Sequence, residues 1–87
     1  MDKFVEAADA LLKRISDAVE HGALFNRAET TSPLTMDIIT DVKILCYEFG
    51  NPAITDMMNK AVPPLSQCQR ALEKIRDTAL FRTRQDS

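Results

Sequence analysis

Few side chains in this chain could carry chemistry. His21 is the single histidine, and Cys46 and Cys68 are the two cysteines. A Cys–His pair is the nucleophile they could supply, the imidazole taking the thiol proton. The surrounding pattern points elsewhere. Both cysteines fall on apolar stripes, where a small buried thiol is the ordinary occupant, and His21 falls on a polar side. One histidine and two distant cysteines lack the close spacing that holds a metal ion. Carboxylates come in groups, Asp2, Glu6 and Asp9 in one stretch and Asp37 and Asp41 in another. Each group suits a solvated helix face near the positive end of the helix dipole. Two glycines in the whole chain leave no phosphate-cradling loop. The expectation is a protein that is not an enzyme, with no catalytic residue, no metal ligand and no cofactor.

Charge is the next candidate for recognition. The formal net charge is -2, unevenly spread. Residues 1–58 hold five basic and ten acidic groups, and residues 59–87 hold six basic and three acidic. Arg70, Lys74, Arg76, Arg82 and Arg84 form a possible anion-binding set for nucleic acid or acidic lipid. Glu73 and Asp77 stand among them, and Phe81 is the only aromatic interleaved, so stacking on single strands is poorly supported. A salt-bridged solvent face is the plainer reading, and nucleic acid is not the expected partner.

Positioning these groups falls to helices. Phe4, Ala8, Leu11, Ile15, Ala18, Gly22 and Phe25 step by four and three along residues 2–26, the spacing of one helix face. Ser32 then Pro33 reads as a cap followed by the first helical position. A second helix over 33–49 follows, with Ile38, Val42, Leu45 and Phe49 as its stripe and Gly50 past its end. Asn51-Pro52 repeats the start signal at once and predicts a helix over 52–61. Pro63 and Pro64 each push the preceding residue out of the α region. The stripe Ile54, Met58, Ala61, Leu65, Cys68, Leu72, Ile75, Ala79 nevertheless keeps phase through them. The prolines therefore break or kink the chain before a last helix over 64–83. The expected fold is all-α, one small antiparallel bundle of three to four helices, with a frayed tail.

Reach is the argument for function. A helix over 2–26 spans roughly 37 Å and one over 33–49 about 24 Å, so the apolar flanks do not match in length. An unbroken third helix would carry Leu72, Ile75 and Ala79 beyond its hairpin partner and leave Phe4 and Val5 bare. Phe25, Leu24 and Phe81 could meet at one end of the bundle, and Phe4, Val5, Phe49 and Tyr47 at the other. Phe4, Val5, Phe25, Leu72, Ile75 and Phe81 are the expected partner-binding residues. The adjacent Met57 and Met58 fill a core or meet a partner. The function this supports is non-catalytic protein binding: a helical adaptor, an oligomerisation domain or a small subunit of an assembly. A protein partner or a second copy would dock by helix packing. An anionic-surface binder using the basic last helix is the alternative.

Two cysteines are sparse for a small secreted domain, so both are expected reduced. No apolar run approaches a membrane span and the N-terminus lacks a signal-like apolar stretch. Cytoplasm, or the nucleus, is the expected compartment. Ser32-Pro33 and the basic residues before Ser16 form minimal phosphorylation patterns.

Overall fold

A computed structural model describes the backbone of residues 2–86 and the side chains of residues 2–82. Four helices are present: α1 (Lys3–Glu20), α2 (Pro33–Phe49), α3 (Pro52–Met57) and α4 (Leu65–Asp86). They pack around one apolar cluster as a small helical bundle, with no strand among the described residues.

Each helix starts on a local signal. Asp2 accepts a hydrogen bond from the Phe4 amide at 2.7 Å and begins α1. Ser32 accepts from the Thr35 amide at 3.3 Å and begins α2, with Pro33 at its first position. Asn51 accepts from the amides of Ala53 and Ile54 and begins α3. Each cap satisfies a backbone donor that a helix start leaves orphaned.

Three ends differ from expectation. α1 stops at Glu20, not near residue 26, because Gly22 takes φ 101°. The Ala23 amide then reaches the Ala18 carbonyl at 2.9 Å and the Gly22 amide reaches Val19 at 3.0 Å. This paired closure satisfies the last carbonyls of the helix and needs a left-handed residue at its centre. α3 stops at Met57, four residues short of Ala61. α4 in turn runs to Asp86, past residue 83.

The prolines break the chain; they do not kink it. A continuous helix would pair the amide of residue 64 with the carbonyl of residue 60. Pro64 has no amide hydrogen to give. Lys43 supplies the missing donor from α2: its Nζ donates to the Lys60 carbonyl at 2.8 Å and to the Ala61 carbonyl at 3.0 Å. Gln67 Nε2 donates to the Met57 carbonyl at 3.3 Å. The irregular stretch 58–64 is thus fastened on two sides. Pro64 serves as the cap of α4, accepting from the amides of Gln67 and Cys68, so the new helix begins one residue later than expected. The even phase of the stripe through the junction was coincidence, since Ala61 is exposed.

The topology is up, down, up, down. Phe49, at the end of α2, meets Phe4 at the start of α1, with ring centroids 5.0 Å apart and planes at 80°. The Arg82 guanidinium lies 4.7 Å from the same Phe49 ring, so α4 ends where α1 begins. At the other end the Ser66 amide donates to the Phe25 carbonyl at 2.8 Å. α4 therefore runs antiparallel to α1 and parallel to α2. α3 and stretch 58–64 carry the chain back between them.

This direction corrects the expectation of uncovered flanks. With 22 residues α4 is about 33 Å long, and it lies along the whole of α1. Leu72 and Ile75 are fully buried, and Val5 is buried with them. Phe25 and Phe81 end at opposite ends of the bundle and cannot form one site.

One core position is polar. Thr35 is buried, and its Oγ1 has no hydrogen-bond partner among the described residues. A buried hydroxyl without a partner costs about 1–3 kcal/mol. Thr35→Val is expected to leave stability unchanged or raise it by up to about 1 kcal/mol in urea unfolding. Lys43→Met keeps the aliphatic stem but removes the donor to two carbonyls, which are then left to water. We expect it to lower stability by about 0.5–1.5 kcal/mol in the same measurement, with α-helical circular dichroism retained.

Candidate interaction surface

The groups capable of chemistry are not brought into a reactive site. His21 is exposed at the end of α1, its Nδ1 2.7 Å from the Asp17 carbonyl oxygen of its own helix. Cys46 on α2 and Cys68 on α4 are free thiols inside the core. Burial pushes the Cys46 thiol up to about 11. Burial likewise raises Cys68 to about 11, with Cys46 adding to the rise and a backbone hydrogen bond and Lys43 opposing it. Such thiols are protonated near neutrality, and the thiolate is the reactive form. Among the described residues no three or more His, Cys, Asp or Glu side chains gather as a metal site.

The expected anion-binding set is dispersed. Arg76 turns towards α1, 3.5 Å from Asp9, and lies 3.8 Å from Asp77. Arg82 covers the Phe49 ring. The side chain of Arg84 lies outside the described residues. Arg70 and Lys74 remain exposed on the outer face of α4, and two cations one turn apart are a thin electrostatic footprint.

The expected partner-binding set divides as well. Leu72, Ile75 and Val5 belong to the core of the chain itself. Phe4 is half-buried against Phe49, and Phe25 is half-buried under the start of α4. Phe81 alone of the six is open, at 60% exposure.

The exposed apolar residues lie mainly elsewhere. Tyr47 is 76% exposed, Leu34 56% and Ile44 51%. Ile44 and Tyr47 are three residues apart and so share a face of α2. That face is opposite the buried stripe of Ile38, Val42, Leu45 and Phe49. Beside it opens a cleft of about 280 Å³, lined by Lys43, Cys46, Tyr47, Met58 and Lys60 among others. One wall comes from α2 and the other from Thr55 and residues 58–61, which Lys43 ties to α2 through the Lys60 and Ala61 carbonyls. Periodicity could have shown this second face, since Ile44 and Tyr47 stand off the main stripe, whereas Leu34 falls on it, four residues before Ile38, and is exposed at the start of the helix. Tyr47 does lie at the Phe4 end of the bundle, two residues before Phe49, but on the outward side of α2; Ile44 carries no expectation.

α2 is acidic around these residues. Asp37 and Glu48 are exposed on the same side, and neither has an ion-pair partner among the described residues. Asp41, at the edge, receives Arg14 at 2.6 Å. A pair this exposed contributes about 0–1 kcal/mol, so it orients α1 on α2 more than it stabilises them.

No protein-family model, characterised protein or solved structure matches this chain. No helix of the described residues is long and apolar enough to cross a membrane.

The thiols generate a prediction. Their folded pKa lies above the unfolded value of 9.0. The unfolded chain therefore loses these protons first as pH rises. The thiol contribution to stability is complete below about pH 9 and falls between about 9 and 11. Urea midpoints should drop across that window, and Cys46→Ala with Cys68→Ala should flatten the drop. In the native state at neutral pH a thiol reagent should label neither cysteine until the chain opens.

Proposed function

We propose that this chain is a non-catalytic protein-binding module, acting by helix-on-helix packing through the outer face of α2. The observation that carries this reading is the exposed pair Ile44 and Tyr47. Large apolar side chains grouped on one face and rimmed by charge are typical of interaction surfaces. Tyrosine is enriched at the centres of such surfaces, where its ring is covered and its hydroxyl stays paired. Phe81 on the outer face of α4 adds a second apolar point. The firm core beneath supports the same reading, because a rigid face loses little freedom on docking. Two free buried thiols favour a reducing compartment such as the cytoplasm.

A photo-reactive residue placed at position 47 tests this. In cells that make the protein, irradiation should yield a protein adduct from position 47. A control at position 17, on the exposed side of α1, should yield none. Equal labelling from both positions, or none from either, would sink the proposal. Tyr47→Glu should abolish the partner's retention while shifting the thermal midpoint little, since exposed substitutions usually change stability by no more than about 0.5 kcal/mol.

A further inference from the structure

We propose that the cleft between α2 and residues 55–61 binds a small organic anion, its acid group held by Lys43 and Lys60 and its apolar body lying on Tyr47 and Met58. This goes beyond the protein-binding reading and does not depend on it. The cleft lies on the Lys43 side of Tyr47, and the proposed docking face lies on the Ile44 side.

The charge of the ligand follows from what lines the cleft. Lys43 and Lys60 both face this space of about 280 Å³, and no carboxylate among the described residues does. Glu48 and Asp56 are the acids nearest in sequence, and neither belongs to its walls. Neither lysine has an ion-pair partner among the described residues. Backbone acceptors in the second wall already have donors. The Thr55 and Asp56 carbonyls accept the amides of Met58 and Asn59, and those of Lys60 and Ala61 accept Lys43. What is left unmatched there is positive charge, which an oxyanion satisfies with strong, charge-assisted hydrogen bonds.

Lys43 is set in place before any ligand arrives. A lysine head on its four-carbon stem is ordinarily mobile. Here two carbonyls, at 2.8 and 3.0 Å, fix it. An ammonium carries three donors, so one N–H remains after those two bonds. A cation already ordered loses little freedom on binding. Lys60 is exposed and supplies the second charge from the rim. The inner end is apolar, because Cys46 and Met58 line the cleft and are buried. Tyr47, at 76% exposure, presents its ring along one side. Small-molecule sites begin at about 300 Å³. A cleft of this size therefore suits a single ring with one acid group, not a nucleotide or a lipid.

Titration of the isotope-labelled chain with benzoate, followed by amide NMR shifts, tests the proposal. Benzoate should move the amides of residues 43–47 and 58–61 along saturating curves. Benzamide has the same shape without the charge and should bind at least about tenfold more weakly. Lys60→Gln changes an exposed residue and should weaken benzoate by about fivefold, with the rest of the spectrum unchanged. Arg70→Gln with Lys74→Gln removes two cations of α4 that lie outside the cleft, and should leave the affinity as it is. Absence of a saturable benzoate shift at these residues overturns the proposal. Benzamide binding as tightly as benzoate overturns it too, as does an equal loss of affinity from the α4 substitutions.

Discussion

The reversal at Pro63–Pro64 is the constraint on which the rest of this bundle depends. Proline withdraws a backbone donor and forbids the helical geometry of the residue before it. Two in succession end the third segment and free the last helix to turn. Only then can 22 residues of α4 lie along α1. The core follows from that placement. Leu65, Cys68, Leu72, Ile75 and Ala79 come down onto Ala8, Leu11, Ile15 and Ala18. A helix that continued straight would have left those side chains in water, at roughly 1.5–3 kcal/mol for each large one.

A broken helix carries its own cost, because its carbonyls lose their amides. The chain meets that cost with side chains from neighbouring elements. Lys43 reaches two carbonyls from α2, and Gln67 reaches a third from α4. These bonds give stretch 58–64 a defined path without helical pairing. The stretch so tethered forms one wall of the cleft beside Tyr47. The same constraint that closes the core therefore shapes the surface next to the exposed apolar pair.

The distribution of charge acquires meaning from the same geometry. In the one-dimensional chain the acidic and basic halves are merely different. Folding sets α2 and α4 parallel, with the Arg82 guanidinium over the Phe49 ring, and so brings a basic residue of the last helix against the end of the second. Arg76 and Arg82 are drawn into the molecule, towards Asp9 and Phe49. The groups left outside are fewer than the composition suggests, and on α4 the cations Arg70 and Lys74 stand among Glu73 and Asp77.

Local rules were enough to read much of this protein from its residues. Ser32-Pro33, Asn51-Pro52 and Gly50 place three helix boundaries, because capping and proline geometry act within a few residues. The stripes of α1, α2 and α4 were legible for the same reason: helical period is a local property. Gly22 was visible too, but whether it continues or closes a helix depends on what packs against the turn beyond it. The direction of α4 was not legible, since prolines permit a reversal without dictating where the chain goes next. Its antiparallel course along α1 buried Leu72 and Ile75 and withdrew them from the surface. It also parted Phe25 from Phe81 and left Ile44 and Tyr47 facing out. Sequence by itself determined where helices form and which side of each is apolar. Tertiary structure alone decided which apolar sides find cover, because burial depends on which distant segments meet and at what height.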